Sequence, residues 1–268
     1  MLTTSSRWLT YLTAVLYALL GALLFFLPEY FAPVFAWKVT PFMTMTIGAW
    51  CLGNAWLAWI TARRWEWKLV YSALIYLWLF GLFETGVVIV FRGKLQLVHP
   101  IAWAYLAALI VNVLTAVVGF FDWIRLRPTR ESFGPQLGKF QRLPVIAFII
   151  FVGSLALYGL SAQVGAPGTN GGIFPEVMSP FTLRSFAVFY LSLSLAVVPF
   201  LWDKNLNAVL HHSFASYGLV VIITVAAFVY LHLFDFAARP AGLLYFGAYL
   251  IVGVPLFFVF MKYGTGKT

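Results

Sequence analysis

The sequence predicts an all-α integral membrane protein that crosses the bilayer several times, because its composition is far too apolar for a soluble domain. Of the 268 residues, 63% are hydrophobic and only 9% are charged, whereas soluble domains are about 45–50% apolar and about 25% charged. One core cannot enclose this excess, so lipid must cover much of the surface. The alternating pattern of an outer-membrane β-barrel is absent, so the spans are predicted to be helices, which satisfy their own backbone polar groups.

Eight apolar stretches are long enough to cross a bilayer, since a spanning helix needs about 20 mostly apolar residues. They cover residues 8–27, 42–62, 69–91, 100–124, 143–163, 180–201, 208–231 and 241–262. The first stretch is longer than the apolar region of a signal peptide and has no A-x-A-like cleavage site. We therefore expect it to be retained as the first helix.

The positive charges predict the orientation, because cytoplasmic loops carry an excess of Lys and Arg. With the N-terminus inside, twelve of the 17 basic residues fall in inner segments. The five on the outer side are Lys38, Arg92, Lys94, Arg184 and Arg239. We therefore expect a protein of the cytoplasmic (inner) membrane with both termini in the cytoplasm. The same flanking residues account for the net charge of +9, so no nucleic-acid partner is expected.

A sequence motif near the start of the chain has a similar copy in the second half. The first copy is FAWKVTPFMTMTIGAW from residue 35, and the second is FPEVMSPFTLRSFAVF from residue 174. The offset is 139 between Pro41 and Pro180, and 140 between Tyr105 and Tyr245. Chance similarity between apolar segments is the alternative. A proline at each equivalent helix entry and a nearly constant offset indicate instead an internal repeat.

The predicted repeat divides the chain into two four-helix transmembrane units, residues 1–124 and 143–268, joined by a basic cytoplasmic linker, residues 125–142. Each unit has an even number of helices, so each begins and ends on the same side. The two copies are therefore parallel, related by a pseudo-two-fold axis along the membrane normal. Their interface is the place where a central cavity is expected.

Polar residues inside the spans form the first candidate site. An ionised Glu84 in the outer half of the third span would cost several kcal/mol unless paired, and such residues are functional candidates. The alternative is a protonated Glu84 that hydrogen-bonds to a neighbouring helix. Thr224 takes the equivalent position in the second unit. Arg184, about one turn inside the sixth span, either reaches the headgroups or pairs with Glu84 across the interface. Asn54 and Asn112 lie within spans and are expected to hydrogen-bond between helices.

A second candidate cluster lies at the predicted outer face and contains His99, His232, Asp235 and Arg239. Two histidines at one depth raise the possibility of a b-type haem or a metal. No span carries a spaced His pair and no third ligand converges, so we expect no metal, no cofactor and an interfacial hydrogen-bonding role. His211 and His212, at the inner start of the seventh span, are expected to face the headgroups.

No motif identifies an activity: a phosphate-binding loop, a zinc-protease motif and a nucleophile elbow are all missing. Our first hypothesis is a non-catalytic protein, either a subunit of a larger membrane complex or a binder of an apolar ligand such as a lipid or quinone. The alternative is a small-molecule or ion transporter with its path between the repeats near Glu84 and Arg184. A third hypothesis is an enzyme that acts on lipid. No residue is assigned as catalytic, and the bilayer and other membrane subunits are the expected partners.

Overall fold

The computed structural model describes residues 1–129, 135–138, 142–162 and 172–264. Its α-helices are α1 (Thr4–Phe26), α2 (Pro28–Phe31), α3 (Pro41–Arg63), α4 (Trp67–Val90), α5 (Pro100–Leu126), α6 (Leu143–Ser161), α7 (Pro180–Val197), α8 (Leu206–Val229) and α9 (Gly242–Tyr263). A 3₁₀ turn, Val198–Leu201, continues α7. No β-strand occurs within the described ranges. Much of the predicted linker and of the second outer loop lies outside the described residues.

Seven of these helices are long and apolar enough to cross a membrane, which confirms a helical multi-pass membrane protein. The predicted stretch 42–62 forms α3, which is not among the seven. Most of α3 is buried, including Thr44, Thr46 and Asn54. A helix enclosed by other helices does not have to be apolar on every side, so α3 carries polar residues that a lipid-facing helix avoids.

The helix starts follow from local chemistry, because the first backbone N–H groups of a helix need acceptors from outside it. Thr40 accepts from the backbone N–H of Met43 at the start of α3, and Ser179 accepts from that of Thr182 at the start of α7. Pro41 and Pro180 follow these caps at the first helical position, where their missing N–H costs nothing. The predicted Ser/Thr–Pro helix entries are confirmed at both places.

The helices pack in a definite order. In the first half α1 packs on α3 and α5, and α4 packs on α5. In the second half α6 packs on α7, and α8 packs on α9. The halves meet where α4 packs on α7, α3 packs on α8, and α4 packs on α8. We call this contact of α3 and α4 with α7 and α8 the seam.

Small residues allow a close approach between α1 and α3. A Cβ added to Gly48 would lie 2.5 Å from the backbone nitrogen of Phe25, and one added to Gly21 would lie 2.7 Å from that of Leu52. Both distances are too short for any side chain, so the two backbones touch only because glycine stands at both positions.

Candidate functional site

Glu84 lies at the seam and joins three helices. Its side chain comes from α4 and is 3% exposed. One carboxyl oxygen, Oε1, accepts a hydrogen bond from the Tyr105 hydroxyl of α5 at 2.7 Å and one from the Ser185 hydroxyl of α7 at 2.8 Å. The other oxygen, Oε2, is buried and has no hydrogen-bond partner among the residues that the structure describes. These three residues, which we call the carboxyl cluster, connect the two halves of the chain.

The carboxyl cluster is asymmetric, and the asymmetry limits what it can do. Both hydroxyl donors meet Oε1, so Oε2 is the atom left to hold a proton or to meet a polar group of a ligand. Leaving a buried polar atom unpaired costs about 1–3 kcal/mol. The cluster offers one acid and two hydroxyls, and within the described residues no Lys or Arg forms an ion pair with Glu84.

The hypothesised ion pair between Glu84 and Arg184 is therefore not formed. Arg184 Nη1 donates instead to the carbonyl oxygens of Gly159, at 2.5 Å, and Ala162, at 3.1 Å. These carbonyls lie at the C-terminal end of α6, where backbone acceptors lack partners within the helix and attract a cation. Successive residues of a helix point about 100° apart, so Ser185 faces Glu84 while Arg184 faces α6.

Both intramembrane amides bridge helices of the first half. Asn54 Oδ1 accepts from the Tyr76 hydroxyl at 2.7 Å, which joins α3 to α4. Asn112 Nδ2 donates to the Tyr17 hydroxyl at 3.0 Å, which joins α5 to α1. Thr224 instead donates to the carbonyl of Val220 within its own helix. Of the predicted intramembrane residues, only Glu84 therefore connects the two halves.

The side chains of the predicted outer cluster do not bond to one another. Asp235 accepts from the backbone N–H groups of Ala237 and Ala238, and Arg239 donates to the carbonyl of Pro175 at 2.8 Å. His99 and His232 are both exposed. The backbone N–H of Arg239 also donates to the Asp235 carbonyl at 2.8 Å. In the ranges that the structure describes, no hydrogen bond or ion pair between side chains joins any two of the four, and no three potential ligands gather to hold a metal.

The expectation for His211 and His212 is wrong, because both are buried, at 0% and 4% exposure. Ser72 Oγ gives its single proton to the Ala196 carbonyl at 2.7 Å and lies 3.0 Å from His212 Nδ1. His212 Nδ1 must therefore carry the hydrogen and donate to Ser72. In the described part of the chain, His212 Nε2 and both ring nitrogens of His211 have no hydrogen-bond partner.

Stacked aromatic rings also pack in the seam and next to it. Trp50 of α3 stacks on Phe189 of α7 with ring centres 4.9 Å apart. Trp37 stacks on Phe181 at 4.1 Å, and its indole N–H donates to the Thr182 hydroxyl at 3.0 Å. Rings in such contact leave little room for water beside them.

The fold and the site together define a class, a multi-pass helical membrane protein with a buried carboxyl cluster between its two halves. No protein-family model, no curated protein and no solved structure matches the chain.

Proposed function

We propose that this is a non-catalytic protein of the inner membrane, either a subunit of a larger membrane complex or the holder of an apolar ligand such as a lipid or quinone. The observation that carries the proposal is the packed seam. Glu84 is enclosed at 3% exposure, and the rings of Trp50 and Phe189 stack beside it in the same interface. A transport path or an active site needs solvated space next to such a carboxyl.

The same proposal includes a duplication of one four-helix unit into eight spans, with both termini in the cytoplasm. In this duplication α1, α3, α4 and α5 correspond to α6, α7, α8 and α9. The packing supports it, because the contact of α4 with α7 then has its counterpart in the contact of α8 with α3. Likewise α1 on α3 becomes α6 on α7, and α4 on α5 becomes α8 on α9. A pseudo-two-fold axis produces such pairs of contacts.

Two pairs of equivalent residues touch each other, which only happens next to such an axis. Trp50 and Phe189 are 139 residues apart in the sequence and stack. Ser72 and His212 are 140 apart and share a hydrogen bond. The first pair lies in the interior of α3 and α7 and the second near one end of α4 and α8, so the line between them runs along the helices. This direction supports a parallel repeat over an inverted one.

A partner or an apolar ligand is expected on the second half, where packing is incomplete. The contact that joins α1 to α5 has no comparable counterpart between α6 and α9. Long side chains reach across instead: the hydroxyls of Tyr190 on α7 and Tyr249 on α9 meet at 2.8 Å. An aromatic lining with few polar groups is typical of sites for apolar ligands, and an open helix pair leaves room for a further helix.

Native mass spectrometry of the protein extracted from its own membrane tests this proposal. We expect a bound component of defined mass that is reduced by Leu157→Gln on α6 or Ile251→Gln on α9, which are 65% and 73% exposed. Ile110→Gln on α5, at 59% exposed, is the matched control and should leave the component in place. Equal loss in all three variants, or no bound component in the parent protein, contradicts the proposal.

A transporter is the second candidate, and the unpartnered Oε2 of Glu84 is the observation that favours it. Purified protein in liposomes should show no solute-driven or proton-driven flux if the first proposal is right. A flux that Glu84→Gln abolishes while Thr85→Ser preserves it would establish transport instead. Glutamine keeps the size of the side chain and removes only the acid, so this comparison separates chemistry from packing.

A further inference from the structure

We infer that the face at which α1 begins carries a binding site for the phosphate of an anionic phospholipid headgroup. The site is a depression of about 450 Å³ between the start of α1, the end of α3 and the start of α4. It is lined by Arg7, Arg63, Arg64, Trp65 and Glu66, among others. We call it the basic depression. It lies away from the carboxyl cluster and does not depend on the function proposed above.

The charge of the basic depression selects an anion. Three guanidinium groups line it, and the one lining carboxylate, Glu66, lies 3.8 Å from the ammonium group of Lys68. The negative charge of Glu66 is therefore largely offset by Lys68. Guanidinium groups bind phosphate oxygens through paired N–H donors, and basic pockets between spanning helices are suited to anionic headgroups.

One of the arginines is held in place by the protein. Arg7 Nε donates to the carbonyl of Ala62 at 2.8 Å, and its guanidinium lies 5.8 Å from the ring centre of Tyr11. The indole N–H of Trp65 donates to the carbonyl of Leu2 at 3.2 Å, which ties the start of the chain to the wall of the depression. A guanidinium already fixed by such contacts loses less conformational freedom when a ligand binds.

An exposed aromatic strip next to the depression favours a lipid over free phosphate. Tyr11 of α1 packs against Trp59 of α3 with ring centres 5.1 Å apart, and against Trp8 at 5.7 Å. Trp8 and Trp59 are 66% and 45% exposed. Trp59 lies about 6 Å along α3 from Arg63, at 1.5 Å per residue. Acyl chains can lie on these rings while the phosphate meets the arginines, an arrangement that matches the amphipathic rings of membrane interfaces.

Native mass spectrometry of the full chain with added phosphatidylglycerol or phosphatidylcholine tests the inference. We expect preferential retention of phosphatidylglycerol, reduced roughly 10- to 30-fold in Arg63→Gln/Arg64→Gln, since each basic residue near a membrane surface contributes about 1 kcal/mol. The matched control, Arg92→Gln/Lys94→Gln, removes the same charge from a second 3₁₀ turn, Arg92–Lys94, which follows the far end of α4, and should leave retention unchanged. Equal retention in both double variants overturns the inference.

A single variant and a competition experiment complete the test. Arg63→Gln alone changes an exposed side chain and should still reduce retention roughly 5-fold, so a folding defect of the double variant does not hide the effect. Excess inorganic phosphate distinguishes the source of the phosphate group. Displacement of phosphatidylglycerol by inorganic phosphate, with no effect of Trp59→Ala, would overturn the lipid assignment and indicate a free-phosphate site. Resistance to phosphate and weakened retention in Trp59→Ala support the lipid.

Discussion

The first half of the chain is a closed four-helix bundle, whereas the second half is two helix pairs, α6 with α7 and α8 with α9, which meet through long side chains such as Tyr190 and Tyr249. In their most apolar windows, 44% of α1 and of α5 is buried, against 28% of α6 and of α9. Polar contacts join α1 to α5: Thr13 meets Thr115 at 2.9 Å, and Asn112 donates to Tyr17 at 3.0 Å. Lipid tails cover an apolar helix surface as favourably as another apolar helix does. Close packing and interhelical hydrogen bonds therefore decide which helices associate in a membrane.

The proposed duplication explains the difference residue by residue. At its offsets of 139 and 140, Thr13 and Tyr17 of α1 correspond to Val152 and Ala156 of α6, and the polar residues of α5 correspond to apolar ones of α9. These α9 residues are Val252, opposite Asn112, and Pro255, opposite Thr115. At these positions the second half therefore lacks the hydrogen-bonding groups that join α1 to α5, and the side of α6 and α9 is where we propose a partner or ligand.

The largest expected effect breaks the closed half at the close backbone contact between α1 and α3. Gly48→Ala should lower the free energy of unfolding by about 3 kcal/mol, because the added Cβ would lie 2.5 Å from the backbone of Phe25 and overpacking costs about 1–3 kcal/mol. Gly153→Ala on α6 is the matched control, since its Cβ would meet only the Ser194 hydroxyl at 3.3 Å. Reversible unfolding in mixed micelles measures both. Equal effects would remove the contrast between the halves.

The next effect concerns the carboxylate that ties α1 to α5. Asp122 accepts from the Ser6 hydroxyl at 2.5 Å and from the backbone N–H of Thr3 at 3.1 Å, and it is 6% exposed. Asp122→Ala leaves these donors unpaired and should cost about 2 kcal/mol of unfolding free energy, within the range for hydrogen bonds to charged groups. Arg125→Ala, one turn away and exposed, should change it little. A neutral Asp122→Ala would show that α1 and α5 associate by packing alone.

A smaller effect tests the contact between Ser72 and His212, which lies at the proposed axis. Ser72→Ala removes the donor to the Ala196 carbonyl and the acceptor for His212, so it should cost about 1–2 kcal/mol. The readout specific to this contact is the nitrogen NMR signal of His212, which should lose its fixed Nδ1–H tautomer. Ser192→Ala is the control, because that hydroxyl donates only to the carbonyl of Val188 in its own helix. An unchanged imidazole signal in Ser72→Ala would rule out the contact at the axis.

The smallest effect measures a single hydroxyl pair between α1 and α5. A double-mutant cycle of Thr13→Val and Thr115→Val should give a coupling energy of about 0.6 kcal/mol, the average for such hydrogen bonds in membranes. Each single variant keeps its volume, so packing changes little. The converse change, Val152→Thr on α6, should give no stabilisation because α9 offers no hydroxyl at the equivalent place. A coupling energy of zero would assign the closure of the first half to backbone packing rather than to these hydroxyls.

The site was predictable from the sequence only in part. Glu84 stands out because a carboxyl in an apolar span is costly wherever it points. Its partners were not predictable, since Arg184 and Ser185 are neighbours in the chain and only the rotation of α7 decides which of them faces α4. The burial of His211 and His212 was missed for the same reason, because a helix end in the sequence does not show whether another helix covers it.

The sequence by itself determined the helical membrane class and the helix entries at Pro41 and Pro180. These depend on local terms, namely apolar length and the caps that satisfy the first backbone N–H groups. Only the tertiary structure decided that Ser185 meets Glu84, that His212 meets Ser72, and that one half closes while the other stays open. These contacts depend on the rotation and spacing of whole helices, which are set by packing between residues far apart in the chain.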